Sequence, residues 1–396
     1  MLASMNSINL IKTILLTCLS GYLINRIILA VVDDMDKTSK GLLIAVLLMA
    51  LVYLVYQLSP GNILAERLKL PGKKAAPAVP DNTGTDQDST DAVDSPGRGA
   101  IRVAATVLWY EPEQVRNYDR SILVEDNDPA AWAGGMDTDM RLWLVGKAET
   151  MALFGESVVI LERRGEWIKV AAESQRTSLN VLGYPGWVHG AHVVSSDVYI
   201  NELKNLPDVV VADKTAGIFK NPGLTDLLME AGYMTRLPLL EEGEQTVTVR
   251  LPGGDTGYLS RSSVKKAGDL YFSRAGIVEE AKKFIGLRYI WAGTSSYGFD
   301  CSGFTMCLYQ SQGISIPRDA DEQAMEGAAV AGADLLPGDL VFFAAKGGLG
   351  QIHHVGMYIG NGMMIHSPNS SSAVTIQAVD SGSYGEEYWG ARRYTG

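Results

Sequence analysis

A cysteine stands between an acid and a serine in the segment YGFDCSGFTMCLYQ, where Cys301 follows Asp300 and precedes Ser302. The residues that follow are typical of a helix ending near Gly313, so Cys301 is predicted to open that helix. The positive end of a helix dipole lowers the pKa of a thiol and favours the nucleophilic thiolate. The position therefore favours a catalytic nucleophile over a packed thiol.

The other two cysteines carry no comparable signal. Cys307 lies two turns into the same predicted helix among apolar residues, where a buried, inert thiol is expected. Three cysteines in 396 residues are too few for a disulfide framework, and none stands at CxxC spacing. The cysteine chemistry of the chain is therefore expected to belong to Cys301 alone.

A cysteine nucleophile needs a base, and three of the five histidines lie in GQIHHVGMYIGNGMMIHSP. This segment alternates like two strands joined by Asn361-Gly362, a dipeptide typical of tight hairpins. His354 and His366 are then predicted to lie side by side, so that one imidazole accepts the thiol proton while the other orients it. A three-histidine zinc site that includes His353 is the alternative, but no carboxylate or cysteine stands at metal-ligand spacing. We predict no metal and no cofactor.

Short β-strands are predicted to precede the nucleophile region. Residues 157–172 form two β-rich runs around Arg164-Gly165, and residues 184–194 follow with Pro-Gly as a turn and Trp187 as a core aromatic. A similar order recurs over residues 209–264. We therefore predict two SH3-like barrels of about five strands each, over residues 100–200 and 201–268.

A helix is predicted between these barrels and the nucleophile. Residues 273–289 place apolar side chains at helical spacing, namely Ile277, Ala281, Phe284 and Ile285. A loop rich in glycine and serine follows and leads to Cys301.

The N-terminal part of the chain is apolar. Residues 41–57 carry no charge and approach the length that spans a bilayer, so they predict a membrane helix. Residues 13–32 are interrupted by Asn25 and Arg26 and are compatible with a second membrane helix, an interfacial helix or part of a signal sequence. We expect a membrane anchor of one or two helices over residues 1–70 and location at the cell membrane. The side on which the catalytic part lies stays open.

The segment between anchor and barrels differs from both. Residues 71–99 lack aromatic side chains and are rich in Pro, Gly, Asp, Ser and Thr, so they predict a disordered linker. The net charge of −11 argues against a nucleic-acid partner, which would require a clustered basic surface.

Four C-terminal motifs resemble those of a known family in order and spacing. GLRYIWAGTSSYGFDCSGF, IPRDADEQA, LLPGDLVFF and HHVGMYIGNGMMIHSP resemble the successive motifs of the NlpC-type cell-wall cysteine peptidases. In addition, AETMALFGE, GEWIKV and GYPGWV resemble the first barrel in the subset with two bacterial SH3-like domains. The resemblance implies an α+β papain-like catalytic domain over residues 269–396, preceded by two all-β SH3-like barrels and the membrane-helix region.

The resemblance also implies roles for the residues around the nucleophile. Cys301 resembles the nucleophile, His354 the general base and His366 the residue that orients the base. Tyr289 matches the tyrosine that helps to hold the oxyanion. Asp300 and Ser302 match positions that line the substrate site.

Three further residues match a substrate-binding cap. Asp319 lies where the subset keeps a substrate contact, whereas the next position is Ala320, where related enzymes can offer a serine hydroxyl. Tyr184 and Glu149 match residues of the first barrel that close the cleft and recognise a free amine, with Glu156 as a competing candidate for that acid. A buried amine needs such a carboxylate because its desolvation is otherwise too costly.

The implied activity is hydrolysis of the bond between γ-D-Glu and an L-diamino acid in short murein peptides that begin with a free L-Ala. Two alternatives stay open. The barrels could form a peptidoglycan-binding wall module without activity, or the papain-like domain could be a thiol amidase or acyltransferase acting on another substrate.

We predict that Cys301→Ala and His354→Ala each abolish hydrolysis, with non-additive losses because the two residues act as one unit. Cys307→Ala is the matched control and should change stability by no more than about 1–2 kcal/mol. Steady-state kinetics of the three variants checks this. Near-normal turnover by Cys301→Ala would show that the nucleophile assignment is wrong.

Overall fold

The structure is a computed structural model that describes residues 97–395. The predicted anchor over residues 1–70 and all but the last residues of the predicted linker lie outside this range. Within residues 97–395, no helix is both long enough and apolar enough to cross a membrane.

Barrel 1 is a seven-stranded antiparallel sheet with strand order β3-β2-β6-β5-β4-β1-β7. Its strands are β1 (Arg98–Ile101), β2 (Ala105–Trp109), β3 (Ala148–Leu153), β4 (Ser157–Arg164), β5 (Trp167–Ala172), β6 (Tyr184–His189) and β7 (Val193–Val194). Strand β1 begins inside the stretch predicted to be linker, because Arg98 and Gly99 pair with Val159 and Val158 of β4.

Barrel 2 repeats this topology strand for strand, with order β10-β9-β13-β12-β11-β8-β14. Its strands are β8 (Asp208–Val211), β9 (Thr215–Phe219), β10 (Leu227–Gly232), β11 (Arg236–Glu242), β12 (Thr246–Arg250), β13 (Thr256–Ser260) and β14 (Val264–Lys266). The recurrence seen in the sequence is therefore a structural repeat, with seven strands in each unit rather than about five.

Two local predictions in barrel 1 had different outcomes. The hairpin around Gly165 is confirmed, since β4 and β5 pair across it and the glycine adopts a φ of +59°. The predicted turn at Pro185-Gly186 is wrong, because both residues lie inside strand β6. Gly186 is needed there since a Cβ would lie 2.7 Å from the Cβ of Leu108.

A helical insertion, residues 110–147, separates β2 from β3 and was not predicted. It contains α1 (Pro129–Gly134), α2 (Thr138–Leu142) and two 3-10 helices, Pro112–Gln114 and Tyr118–Ile122. Asp128 and Asp137 cap the two α-helices through their side chains. Trp132 of α1 belongs to a core that also contains Ile290 and Tyr297, so the insertion packs barrel 1 against the nucleophile region.

The C-terminal region is an α+β domain with a six-stranded antiparallel sheet of order β17-β22-β18-β19-β20-β21 and a small β15-β16 pair. Its strands are β15 (Thr294–Ser295), β16 (Gly298–Phe299), β17 (Ala328–Val330), β18 (Leu340–Ala344), β19 (Ile352–Gly360), β20 (Met363–His366), β21 (Thr375–Ala378) and β22 (Tyr388–Arg393). Helix α3 (Asp197–Asn205) connects the barrels, and α4 (Arg274–Lys282), α5 (Cys301–Gln310), α6 (Ala320–Met325) and α7 (Ser383–Glu387) belong to this domain.

The helix before the nucleophile ends earlier than the apolar pattern of residues 273–289 indicates. Helix α4 ends at Lys282. Ile277, Ala281 and Phe284 are buried as expected, whereas Ile285 is 48% exposed, contrary to prediction. The chain turns after Phe284, so the next apolar side chain no longer faces the core.

The two faces of the central strand β19 carry different residues. Val355 and Met357 pack against Phe304 and Cys307 of helix α5 in the largest core of the domain. Because successive strand residues point to opposite faces, His354 and Gly356 lie on the other side of the sheet. The predicted hairpin is confirmed, since β19 pairs with β20 across Asn361 and Gly362, both of which have positive φ.

Gly356 lets the second histidine approach the first. A Cβ at Gly356 would lie 3.3 Å from the Cβ of His366 and 2.8 Å from Sδ of Met364. We predict that Gly356→Ala displaces His366, lowers hydrolytic activity and destabilises the fold by about 1–3 kcal/mol.

Kinetics and denaturant unfolding measure both effects. Gly253→Ala is the matched control, because a Cβ there meets no atom within 4 Å. Equal behaviour of the two variants would contradict the close approach at Gly356.

Candidate active site

Helix α5 begins at Cys301, as predicted. Asp300 caps it, since its Oδ1 accepts a hydrogen bond from the backbone N–H of Gly303 at 2.7 Å. The thiol is half-buried, whereas Cys307 is 2% exposed and directs its Sγ to the carbonyl of Thr294. The structure thus places one accessible cysteine at the helix N-terminus and one in the core.

The expected low pKa of the Cys301 thiol is not found. Burial and the neighbouring Asp300 carboxylate raise the pKa of Cys301 to about 12. The backbone N–H groups of Val355 and Ser302 and the charge of Arg318 oppose this rise but do not cancel it. The helix N-terminus alone therefore does not ionise the thiol, and proton removal must come from a neighbouring base.

The two predicted histidines meet. Nε2 of His354 and Nδ1 of His366 are 2.8 Å apart. The contact of the Cys301 thiol with the backbone N–H of Val355, the residue after His354, places the thiol beside this strand. Since Nε2 of His354 is engaged with His366, Nδ1 is the nitrogen that remains for the thiol proton. The roles of Cys301, His354 and His366 as nucleophile, base and orienting group stay a prediction, which requires these residues to lie close together.

Both imidazoles are neutral in this environment. Burial, together with the nearby His366 and His353, lowers the pKa of His354 well below its usual value. Burial lowers the pKa of His366 to about 4. Together with the raised pKa of Cys301, this describes a resting thiol–imidazole pair in which His354 is free to act as a general base.

Tyr384 of α7 covers the histidine pair and was not identified from the sequence. Its ring lies 5.2 Å from that of His354, 5.3 Å from that of His366 and 4.8 Å from that of Phe343. Burial and the nearby Cys301 and Glu387 raise its pKa to about 12. Its sequence neighbourhood carries no motif, so only the fold brings Tyr384 to the site.

Tyr289 is buried beside the nucleophile, where the family resemblance placed it. Burial raises the pKa of Tyr289 well above its usual value, and Cys301, Asp300 and Tyr384 raise it further. The hydroxyl is therefore protonated and able to donate a hydrogen bond. This is what an oxyanion formed at the thiol would require.

Arg318 is a buried organising residue that the sequence reading missed. It is 1% exposed and binds Asp300 with both terminal nitrogens, at 3.1 Å to Oδ1 and 2.6 Å to Oδ2. It also donates to Oγ of Ser302 at 3.0 Å and, from Nε, to Oγ1 of Thr150 at 2.9 Å. Burial lowers the pKa of Arg318, but Asp300 and Asp319 outweigh burial and raise it.

The same network holds Asp300 and Ser302. Both residues are buried, and their oxygens are engaged by Arg318 and by the start of α5. Both residues therefore help to fix the first turn of α5, and their place in the substrate site stays a prediction. The signal for Arg318 was its place next to Asp319 in the IPRDADEQ motif.

Gln323, from the same IPRDADEQ motif, stabilises the start of helix α5 through hydrogen bonds. Its side chain accepts from Thr305 at 2.8 Å and donates to the carbonyls of Ser302 at 3.0 Å and Pro317 at 2.8 Å. The motif thus fixes both the first turn of α5 and the segment that carries Arg318.

Tyr184, Asp319 and Glu149 lie together between barrel 1 and the catalytic domain. The Tyr184 hydroxyl donates to Oδ2 of Asp319 at 2.9 Å. Burial raises the pKa of Asp319, and burial together with Asp319 raises the pKa of Glu149. Two half-buried carboxylates therefore repel each other here. Arg318, the nearby cation, directs its nitrogens to Asp300, Ser302 and Thr150.

Glu156, the competing acid, lies elsewhere. Its carboxylate accepts hydrogen bonds from Gln175 at 3.1 Å, from the Leu153 backbone at 3.1 Å and from Ser174. Burial raises the pKa of Glu156, and these hydrogen bonds oppose the rise. It lines a cavity of about 730 Å³ with Cys307, apart from Tyr184 and Asp319. The structure brings Glu149, not Glu156, to Tyr184.

Contacts at strand β3 explain why a barrel residue reaches the site. Trp291 donates to the carbonyl of Ala148 at 3.0 Å, and Thr294 donates to that of Met151 at 2.9 Å. These bonds hold the strand that carries Glu149 and Thr150 against the loop before the nucleophile. Among residues 97–395, no group of three or more His, Cys, Asp or Glu side chains could hold a metal ion.

Comparison with known proteins agrees with this geometry. The family model described as "NlpC/P60 family" matches residues 286–393, and the model described as "YKFC SH3b2 domain" matches residues 211–266. A protein of Bacillus cereus is 41% identical over 304 residues, which cover 74% of this chain and 90% of the relative. The chain belongs to the NlpC/P60 family.

Two further matches support the same membership. A protein of Bacillus subtilis is 32% identical and covers 73% of this chain and 96% of its own length. This relative and the B. cereus one are both named gamma-D-glutamyl-L-lysine dipeptidyl-peptidase. The crystal structure of an NlpC/P60 family protein from B. cereus superposes with a TM-score of 0.73 at 40% identity, covering 76% of this chain and all of that one. The predicted papain-like domain with SH3-like barrels is confirmed.

We predict that Arg318→Met lowers the free energy of unfolding by about 3–5 kcal/mol, because it leaves the buried Asp300 carboxylate without its partner. Adding Asp300→Asn should recover part of this loss, since asparagine removes the charge and still caps the helix. Denaturant unfolding followed by tryptophan fluorescence measures both variants.

The exposed ion pair between Arg164 and Glu111 provides the control. Arg164→Met should cost less than about 1 kcal/mol. If the double variant were destabilised by the full sum of its single variants, the coupling between Arg318 and Asp300 would be disproved.

Proposed function

We propose that this protein is a cysteine peptidase that hydrolyses the amide bond between the γ-carboxyl group of D-Glu and an L-diamino acid in short murein peptides with a free N-terminal L-Ala. Its two relatives of 41% and 32% identity carry a name that describes this bond with L-lysine as the amine. The cluster of Glu149, Asp319 and Tyr184 is the observation that carries the requirement for a free amine.

The reaction follows from the resting state of the nucleophile and base. Nδ1 of His354 takes the proton of the Cys301 thiol, and the sulfur attacks the γ-carbonyl carbon of D-Glu. The oxyanion that forms accepts a hydrogen bond from Tyr289. As the C–N bond breaks, the imidazolium of His354 returns the proton to the departing amine, which leaves a thioester on Cys301.

Water completes the cycle. His354, neutral again, removes a proton from a water molecule that attacks the thioester carbonyl. The thiolate leaves, the imidazolium returns the proton to it, and L-Ala-D-Glu is released with a free γ-carboxylic acid. His366 holds the ring of His354 throughout, because their hydrogen bond fixes which nitrogen faces the sulfur.

The acidic cap, formed by Glu149, Asp319 and Tyr184, accounts for selectivity toward short peptides. The ammonium group of L-Ala would lie between two carboxylates that repel each other in its absence, and Tyr184 holds one of them in place. Burial and repulsion from Asp319 raise the pKa of Glu149, and a cation there would offset both effects. Intact murein, in which this amine is part of an amide, would leave the carboxylates unpaired.

We predict that acetylating the N-terminus of L-Ala-γ-D-Glu-L-Lys lowers kcat/KM by two to four orders of magnitude, on the order of 3–5 kcal/mol, because a buried charge loses its partner. Glu149→Gln should reduce the ratio of kcat/KM between the free and acetylated peptides. Glu156→Gln is the matched control and should leave this ratio unchanged. Equal cleavage of both peptides by the wild-type protein would show that the groove is open at this end.

Two other functions are compatible with the sequence alone. A wall-binding module without activity does not require the contact between His354 and His366 or the buried support of the nucleophile helix. A thiol amidase or acyltransferase would require the histidine contact and the supported nucleophile helix, but it would not require the acidic cap. Turnover of the free tripeptide, with release of lysine, distinguishes the proposed peptidase from both.

We further propose that residues 41–57 attach the enzyme to the cell membrane. The support for this is the uncharged apolar stretch and the polar, aromatic-free segment 71–96 that follows it. Membrane fractionation of cells that express the full chain, compared with a chain lacking residues 1–70, tests the attachment. Protease treatment of intact cells then reports the side on which the catalytic domain lies.

A further inference from the structure

His366 has one ring nitrogen whose partner is not accounted for. Its Nδ1 contacts His354, but its Nε2 is buried and has no hydrogen-bond partner within the described residues 97–395. The side chain is 0% exposed, so bulk water does not satisfy this atom. A buried polar atom of this kind calls for an explanation in the surrounding side chains.

The tautomer of His366 decides whether His354 can act as a base. A neutral imidazole carries its proton on one nitrogen and a lone pair on the other. If His366 is protonated on Nε2, its Nδ1 accepts from Nε2–H of His354, and Nδ1 of His354 is free for the thiol proton. If His366 is protonated on Nδ1, it donates to His354, whose own proton then sits on the nitrogen that should receive the thiol proton.

Gln377 is placed to select between these tautomers. In the antiparallel pair β20–β21, Gln377 is opposite Met364 and Thr375 is opposite His366, so Gln377 and His366 are diagonal neighbours on one face of the sheet. Burial lowers the pKa of His366, and the nearby Gln377 side chain opposes this lowering. Gln377 is therefore a polar side chain on the same face of the sheet as the unpartnered nitrogen.

The direction of the Gln377 amide follows from its other neighbour. The Ser381 hydroxyl donates to the carbonyl of Ala378 at 2.9 Å, so its oxygen is left to accept. Nε2 of Gln377 donates to that oxygen at 2.6 Å. With its amino group directed to Ser381, the amide presents its carbonyl oxygen, an acceptor, on the other side.

We propose that Gln377 is a positioning residue whose Oε1 accepts a hydrogen bond from Nε2–H of His366 and so holds the histidine pair in the tautomer that leaves Nδ1 of His354 free. The inference rests on the proposed function only in taking His354 as the base for Cys301. No proton moves along this chain: the one proton transferred goes from the Cys301 sulfur to Nδ1 of His354, and the oriented dipoles behind it stabilise the imidazolium.

The charged and titratable groups that face the histidine pair are few. Tyr384 faces it from α7, His353 lies next to His354 on β19, and Cys301 at the start of α5 lies near Tyr384. Glu387 of α7 is 3.3 Å from Nε2 of His353 and raises the pKa of Tyr384. A carboxylate introduced at residue 377 would be the only new charge on this face and would favour the imidazolium form.

Nitrogen-15 NMR of the full chain, labelled at the histidine ring nitrogens, tests the tautomer without substrate. The His366 signals are assigned by their loss in His366→Asn. We expect a protonated Nε2 and an unprotonated Nδ1 in the wild-type protein, and a mixture of tautomers in Gln377→Met. A protonated Nδ1 in the wild-type protein, or an unchanged ratio in Gln377→Met, would overturn the inference.

Reactivity provides the second readout. In Gln377→Met the rate of alkylation of Cys301 by iodoacetamide near neutral pH, followed by mass spectrometry of its peptide, and kcat/KM should both fall by about 10–100-fold. The control Gln351→Met, which changes an exposed glutamine before β19, should behave like the wild type. Unchanged alkylation and kcat/KM in Gln377→Met would contradict the proposal.

The pH dependence of kcat/KM and of alkylation distinguishes a direct contact between Gln377 and His366 from a role of Gln377 in packing alone. In Gln377→Glu the carboxylate should raise the pKa of the histidine pair by about one unit or more. The base is inactive when protonated, so the acid limb of kcat/KM and of alkylation should move to higher pH by the same amount. An unmoved acid limb would contradict the contact. Normal alkylation of Cys301 without cleavage of the tripeptide would instead refute the proposed substrate while leaving the role of Gln377 intact.

Discussion

The buried ion pair between Arg318 and Asp300 is the interaction on which the rest of the site depends. It joins the N-terminal cap of helix α5, through Asp300, to barrel 1, through Thr150, and to the proposed substrate-binding cluster, through the neighbouring Asp319. A buried pair of this kind gains little net stability because both charges are desolvated, but losing one partner is costly. The arrangement therefore fixes the geometry of the site more than it stabilises the fold.

Barrel 1 contributes to the candidate active site through strands β3 and β6. On β3, Thr150 is buried against Arg318, and burial together with Asp319 raises the pKa of the neighbouring Glu149. On β6, Tyr184 donates to Asp319. The helical insertion and Trp291 hold β3 in place. Barrel 2 contacts helix α4, where Tyr233 donates to Glu280 at 3.1 Å, and the loop before Cys301, where Tyr297 donates to the carbonyl of Glu230 at 3.2 Å. The topological repeat has thus diverged, because within residues 97–395 the side chains that contact Arg318 and Asp319 from a barrel, Thr150 and Tyr184, belong to the first copy.

Much of this could be predicted because local sequence rules act without competition at those positions. Asp300 before an apolar helical run predicts a capped helix at Cys301, and Asn361-Gly362 predicts a hairpin that brings His354 toward His366. These features depend on residues close together in the chain. The family motifs added Glu149 and Tyr184, which no local pattern connects to Cys301.

The failures share a physical cause, since each depends on tertiary contacts. Pro185-Gly186 is typical of a turn, but β6 needs Gly186 for its close approach to Leu108. The helix dipole at Cys301 is opposed by burial and by Asp300, which the sequence places next to the thiol but cannot show to be desolvated with it. The helical insertion has no clear apolar period, and Tyr384 reaches the histidines only because α7 folds back over the sheet.

A crystal structure of the Cys301→Ala protein with uncleaved L-Ala-γ-D-Glu-L-Lys would show whether the acidic cap orients a free amine while the γ-carbonyl lies at the nucleophile position. We expect the ammonium group within hydrogen-bond distance of Glu149 and Asp319, with the γ-carbonyl carbon next to residue 301 and its oxygen toward Tyr289. A peptide bound in the reverse direction, with its amine away from Glu149, would show that the acidic cap does not recognise the amine.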